Sequence, residues 1–258
     1  MSVHTGFGRR LLVYCGASRQ PIELHERLDS PVGLALRTAG ASIRLVSGRF
    51  TTAVLVNLTA TILSLPIVAL VGVAAVAAHS VNVVLAGLVL LIVILPNPLA
   101  AGLHHVIHEL ARGEPVYLSE QFDGLRRYGL PALKAWLMSL PVTVLIVFNL
   151  AFYGAAHVPF AGPLTIIWVY ILLTWLSVHL YVYPLLMEQD VPRLFLLYRN
   201  AFIMTVSRPL FTLVVVPIWL AVVVVCVATG LAAVFGLALA AAMQHIATLR
   251  VLPTFARR

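Results

Sequence analysis

Three histidines and a glutamate fall within six residues of this sequence, at positions that suit metal chemistry. His104 and His108 lie four residues apart, as do His105 and Glu109, so on a helix each pair shares one face. Imidazoles at this spacing can chelate a metal ion. The glutamate follows the last histidine instead of lying between two of them, so the HExxH arrangement of the zincins is absent.

The same run, HHxxH, resembles one histidine box of the membrane desaturases, which carry several such boxes. Here the remaining histidines are scattered singly, and the sequence has no Walker loop, GxSxG or GxGxxG motif. We therefore predict interfacial histidines without a catalytic role, in a protein that is not an enzyme and holds no metal or cofactor. A metal-dependent membrane enzyme that uses His104 and His108 remains the alternative.

Four other polar residues stand inside apolar stretches: Asn57, Asn149, His179 and His245. As functional groups they would line the cavity of a permease for a neutral polar solute, next to kinked helices. As structural groups they would hydrogen-bond neighbouring helices, which is common in membrane bundles. No Asp, Glu, Lys or Arg lies at the middle of a stretch, which argues against a transporter with a carboxylate proton relay.

The composition predicts that a lipid bilayer surrounds most of the chain. Of 258 residues, 61% are hydrophobic and 10% are charged, against about 45–50% and about 25% in soluble domains. A spanning helix needs about 20 mostly apolar residues, and six stretches qualify. They are residues 50–78, 81–111, 131–156, 161–188, 208–228 and 231–248.

We predict an all-α polytopic bundle of about six spans. It divides into a basic N-terminal segment (1–49), a transmembrane domain (50–250) and a short tail (251–258). Small residues recur every four positions at Ala232, Gly236 and Ala240, which favours close packing inside the bundle and leaves a dimer open.

Prolines interrupt the spans. Pro96-Asn97-Pro98 cannot continue a regular helix, so we expect a span near 81–96 and a second helical piece over 99–111. That piece either runs out to the interface or re-enters the membrane, which would change the count to five or seven. Pro66, Pro141 and Pro217 should kink their helices.

Two further helices are expected outside the spans. An amphipathic segment lies between Glu188 and Arg208. Residues 32–49 form either an interfacial helix, with apolar side chains dipping into the headgroups, or a loosely ordered basic tail. Those side chains are Leu34, Ile43, Leu45 and Val46.

The basic residues orient the bundle. The chain has 17 Lys and Arg against 9 Asp and Glu. With six spans, all 17 fall on the side of both termini, and the opposite connections (79–80, 157–160 and 229–230) hold none. Short basic loops stay cytoplasmic, so both termini are predicted inside. The basic residues flank apolar spans without interleaved aromatics, which favours lipid headgroups over nucleic acid.

Short motifs in three places resemble the YesL family of bacterial integral membrane proteins, which contain a domain of unknown function. The likeness covers roughly residues 45–250. Its motifs are Val56-Asn57-Leu58 with Ser64-Leu65-Pro66-Ile67-Val68, Ala111-Arg112-Gly113-Glu114 with Phe122 and Arg126-Arg127-Tyr128, and Tyr183-Pro184-Leu185-Leu186 with Arg199-Asn200-Ala201 and Arg208-Pro209. Some 25 residues intervene here that the family pattern lacks, and Ala69 stands where the family has threonine.

The resemblance implies a protein of the bacterial cytoplasmic (inner) membrane that assists carbohydrate uptake, with no defined catalytic or ligand residues to carry over. We therefore expect a non-enzymatic accessory or scaffold that works with membrane transport components. Aromatic and arginine residues in its cytoplasmic connections suit protein contacts. The candidates are Phe122, Arg126, Arg127, Arg199 and Asn200.

Overall fold

The computed structural model of the chain describes residues 30–77, 97–155, 160–189 and 193–255. Within these ranges the regular structure is entirely helical and no strand occurs, as predicted. The described α-helices are α1 (Pro31–Gly48), α2 (Phe50–Ala77), α3 (Ala101–Arg112), α4 (Ser119–Ala155), α5 (Ala161–Met187), α6 (Leu194–Ser207), α7 (Pro209–Ala228) and α8 (Gly236–Phe255). Short 3-10 turns, Pro98–Ala100 and Leu231–Ala233, precede α3 and α8.

Three described helices are long and apolar enough to cross a membrane: α4, α5 and residues Pro209–Cys226 of α7. A fourth candidate arises if α1 and the first part of α2, which are bent by 94° at their junction, form one broken span. The predicted span 81–96 lies outside the described residues. Helix α8 is apolar over Gly236–Leu252 but shorter than a span.

Local signals explain the break before α3 and the end of that helix. The Asn97 side chain accepts from the Leu99 N–H at 3.0 Å, and Pro98 occupies the first turn, as expected where a helix starts. Gly113 ends α3 in the left-handed conformation, with φ of 83°, and its N–H donates back to the helix carbonyls. The predicted helical piece over 99–111 is therefore present.

The connection expected at 112–130 is mostly helical, because α4 begins at Ser119 and continues for 37 residues. Its first turns bury Gln121, Gly124 and Tyr128, and α4 packs on α3. This tertiary contact extends the helix beyond the apolar stretch. Pro141 lies within α4, and Pro66 and Pro217 lie within α2 and α7; the kinks expected at these prolines stay predictions.

The last helix also differs from the predicted span 231–248. Residues 231–233 form a 3-10 turn, and α8 starts only at Gly236 and extends to Phe255, inside the predicted tail. Ala232 and Ala240 are therefore not on one continuous helix. A Cβ added at Gly236 would lie 2.6 Å from the Cβ of Cys226, so this glycine permits close packing within the chain.

Helix α1 packs on α7 and α8. Leu34, Leu45 and Val46, which were expected to reach the headgroups, are buried there, whereas Ile43 is exposed. The sequence shows an amphipathic helix, but it cannot distinguish a lipid surface from a protein surface as the partner of the apolar face.

Helix α8 is the centre of the packing. Met243, Ala247 and Val251 belong to a hydrophobic cluster with α5 and α7, and the opposite side of α8 joins a second cluster with α1, α2 and α3. Buried Arg250 donates from Nη1 to the Leu34 carbonyl at 3.4 Å. A helix surrounded on all sides in this way is a core helix.

Helices α3 and α4 approach closely at two glycines. A Cβ at Gly102 would overlap the carbonyl oxygen of Gln121, and a Cβ at Gly124 would overlap the Cβ of His105. Gly162 of α5, by contrast, has open space around its Cβ position.

Replacing Gly102 or Gly124 with alanine is expected to destabilise the protein by about 1–3 kcal/mol, because backbone or Cβ atoms would have to move. Unfolding by heat or SDS in detergent micelles measures the loss. The control Gly162→Ala should be neutral or stabilising by up to about 1 kcal/mol, since alanine favours a helix. Equal stability of all three variants would contradict this packing.

Candidate functional site

The described structure brings three buried histidines together. His104 and His108 lie on the same face of α3, and both face His245 of α8. His104 Nδ1 lies 3.4 Å from His245 Nε2, and His108 Nδ1 lies 3.4 Å from His245 Nδ1. The central ring thus uses one nitrogen for each neighbour. The α3 pair follows from its spacing, whereas the contact with His245, 137 residues further along, needs the tertiary fold.

This three-histidine chain ends at a charged pair near the helix ends. His108 Nε2 lies 4.0 Å from Glu188 Oε1. The Glu188 carboxylate accepts from Arg112 Nη2 at 2.7 Å and 2.6 Å, and both side chains are partly exposed. At the other end, the His104 ring stacks on Tyr183, with centroids 3.8 Å apart, and the Tyr183 hydroxyl donates to the Asn97 carbonyl.

Burial keeps the two α3 histidines neutral. Helix α3 is not one of the candidate spans. Desolvation lowers the pKa of His104 from 6.5 to about 3. Desolvation, followed by the nearby charges of Arg112 and His105, lowers the pKa of His108 to about 3 as well. A neutral imidazole has one donor and one acceptor nitrogen, which suits a chain of rings in series.

The three rings do not converge on one point. A metal ion needs the lone pairs of its ligands directed at a common centre, but His245 presents opposite nitrogens to His104 and His108. In the part of the chain that the structure describes, no group of three or more His, Cys, Asp or Glu side chains could hold a metal ion. This geometry therefore supplies no set of metal ligands that would support the hypothesis of a metal-dependent enzyme.

A second polar cluster joins α4, α5 and α6. His179 Nδ1 donates to the Trp175 carbonyl at 2.8 Å, so Nε2 is the acceptor towards the Ser139 hydroxyl, which lies 3.1 Å away. The Ser139 oxygen also contacts the Tyr198 hydroxyl. A serine bonded to histidine is a potential nucleophile, but Ser139 has no exposed surface. The cluster therefore holds helices together. The sequence pointed to His179 alone.

Asn57 fastens the start of α8. Its side-chain amide donates to the Ala232 and Ala233 carbonyls at 2.8 Å each, and its oxygen accepts from the Ala238 N–H at 2.8 Å. The amide is fully buried. It thus pairs one of the N–H groups that the first turn of a helix leaves without partners, together with two carbonyls of the preceding 3-10 turn.

The four expected cavity residues lie in different surroundings. Asn149 donates to the Leu145 carbonyl of its own helix, and Asn57, His179 and His245 belong to the three networks above. No hydrogen bond joins any two of these four residues within the described ranges. Each of the four therefore has its own hydrogen-bond surroundings, and the shared polar cavity stays a prediction.

The expected contact residues reach the surface. Phe122, Arg126 and Arg127 are exposed on the first turns of α4, and the Arg127 guanidinium lies 5.3 Å from the Tyr128 ring centroid. On α6, Arg199 is exposed and Asn200 is half-buried.

An apolar groove of about 800 Å³ between α4, α5 and α6 was not foreseen. Trp175 and Val142 line its walls, and Phe195 and Phe202 of α6 lie along it. Among the described residues that line the groove, Arg199 alone is charged. Its signal in the sequence is the spacing of aromatic residues on α6, but the opposing walls come from distant helices.

The chain was compared with known proteins in three ways. No family model, no curated protein and no solved structure matches it.

Substituting leucine for Asn57 is expected to lower the free energy of unfolding by about 2–4 kcal/mol, because the buried Ala238 N–H and two carbonyls of the preceding turn lose their partners. Unfolding in detergent micelles measures the change. The matched control is Asn149→Leu, which removes one bond within a helix and should change stability by less than about 0.5 kcal/mol. Similar losses for the two variants would contradict the anchoring role of Asn57.

Acidification is expected to destabilise the fold. The unfolded chain binds protons at its histidines near pH 6.5, whereas folded His104 and His108 do so only near pH 3. The contribution of these histidines to the free energy of unfolding is therefore fully present above pH 6.5 and is lost between pH 6.5 and pH 3. The expected loss from pH 7 to pH 5 is about 2 kcal/mol per histidine. Unfolding curves at the two pH values measure this. The double variant His104→Gln/His108→Gln should show a weaker dependence, and an unchanged dependence would contradict the assignment.

Proposed function

We propose that this chain is a non-enzymatic integral protein of the bacterial cytoplasmic membrane, with about six spans and both termini inside. In this proposal it is a YesL-like accessory component that assists a carbohydrate uptake system. The three or four candidate spans and the one-sided distribution of basic residues support the membrane assignment. The sequence motifs quoted above support the family assignment.

One observation carries the accessory role: α6 presents an exposed face that mixes large apolar side chains with an arginine. Phe195 is 79% exposed, Phe202 is 51% and Val206 is 57%. With Arg199 they follow the spacing i, i+4, i+7, i+11, so they share one face of the helix. Aromatic and arginine residues are the ones that dominate protein interfaces.

The groove beside this face suits a helix of a partner. The residues that line it are mostly apolar, which suits a helix embedded in a bilayer, and Arg199 adds a positive charge. An apolar partner helix with an acidic residue would complement both features, and the charge pair would fix its register. We assign the groove to a transmembrane helix of a transport component that carries such a residue.

The buried clusters favour a role without catalysis. Ser139 and His179 are buried and already bonded to each other and to the protein. Asn57 is likewise committed to the backbone of the turn and helix that it anchors. These three polar groups hold helices of the bundle together and do not face solvent.

A photo-crosslinking phenylalanine analogue at position 202 is expected to form adducts with one membrane protein in native membranes. The same analogue at Phe148, which is exposed on α4 outside the groove, should react with lipid. Arg199→Glu should reduce the protein adduct by roughly tenfold or more, because like charges then face each other. The matched control Arg193→Glu should leave it unchanged.

Charge reversal then tests the partner directly. Mass spectrometry of the adduct identifies the acidic residue, and changing that residue to arginine should restore the adduct with Arg199→Glu. Adducts of lipid alone at position 202 would contradict the proposed function. So would movement of a neutral solute by the purified chain in proteoliposomes, which would favour the permease.

A further inference from the structure

The three-histidine chain connects two places with different access to water. Its outer end reaches the partly exposed Arg112–Glu188 pair. Its inner end, the His104 ring, lines a cavity of about 60 Å³ between α3, α5, α7 and α8. The chain is thus a continuous nitrogen-to-nitrogen path from the surface of the bundle to its interior.

The cavity contains two polar atoms that require a partner. Trp219 Nε1 is a donor and Gln244 Oε1 is an acceptor; both are buried and have no hydrogen-bond partner among the described residues. Their side chains are 2% and 4% exposed and line the cavity. An unpaired buried group costs about 1–3 kcal/mol. A cavity of this size has room for a few waters, since each needs about 10–15 Å³.

We propose that His108, His245 and His104 form a proton relay between solvent at Glu188 and water bound by Trp219 and Gln244. In the starting state, His108 Nδ1–H points at His245 and His245 Nε2–H points at His104. This arrangement satisfies both nitrogen contacts with neutral rings. The relay goes beyond the proposed accessory role and does not depend on it.

One transfer conserves protons and charge. A hydronium ion in solvent near Glu188 gives a proton to His108 Nε2 and becomes water, and the Nδ1 proton of His108 passes to His245 Nδ1. The Nε2 proton of His245 passes to His104 Nδ1, and the Nε2 proton of His104 leaves for cavity water. Three rings end as the opposite tautomers, one proton has entered and one has left. The reverse passage restores the first state.

The surrounding groups favour this neutral relay. Arg112 lies near the outer end and opposes a lasting positive charge on His108, while its ion pair with Glu188 holds the carboxylate in place. Tyr183 packs its ring on His104 and directs its hydroxyl to Asn97. His105 lies on another face of α3, 4.0 Å from Glu109, and stays outside the path.

Hydrogen exchange of the Trp219 indole tests the relay in the full-length protein in lipid nanodiscs. NMR follows the loss of the indole signal after transfer to D₂O, with Trp219→Phe to assign it. His245→Leu should slow the exchange roughly tenfold or more, since the path is cut at its middle. The matched control His105→Gln should exchange as the wild-type protein does. An unchanged rate in His245→Leu would overturn the relay.

A second measurement needs no variant. In ¹⁵N-histidine spectra of the wild-type protein near pH 7, each relay ring should show one protonated and one bare nitrogen, with averaging between the two tautomers. A single fixed tautomer at His245 would overturn the proposal. Stoichiometric binding of added Zn²⁺ to the three histidines would overturn it as well, because it requires the rings to converge.

Discussion

The burial of α8 on every side is the constraint on which the rest of the described structure depends. This helix contributes to both hydrophobic clusters, so α1, α2 and α3 pack on one side of it and α5 and α7 on the other. Its polar residues, among them Gln244, His245 and Arg250, consequently lie in the interior. Buried polar groups need partners in the protein or in bound water. The Asn57 anchor, the histidine chain and the bond from Arg250 to α1 all meet this requirement.

Helix α5 connects the two polar clusters. His179 belongs to the cluster with Ser139 and Tyr198, and Tyr183, one turn later, stacks on His104 of the histidine chain. The C-terminal half of α5 is buried, whereas much of its N-terminal half is exposed. One end of this helix therefore acts as a core element and the other is available to lipid.

The sequence predicted the features that depend on local chemistry. Asn97, Pro98 and Gly113 mark the limits of α3 and its preceding turn, and the spacing of His104 and His108 places them on one face. It did not predict features that depend on distant segments. The early start of α4 rests on its packing against α3, and the partner of the α1 apolar face is protein. His245 contacts α3 only because of the tertiary fold. The same is true of the groove, whose walls come from helices that are distant from α6 in the sequence.

The central position of α8 also affects how the protein is made. A short helix with a buried amide, an imidazole and a guanidinium partitions poorly into hydrocarbon on its own. As the last described helix, α8 leaves the ribosome after the helices that surround it. We therefore expect α8 to dock late, into a site already formed by the earlier helices. Nascent chains that end before α8 lack the helix that fills this site.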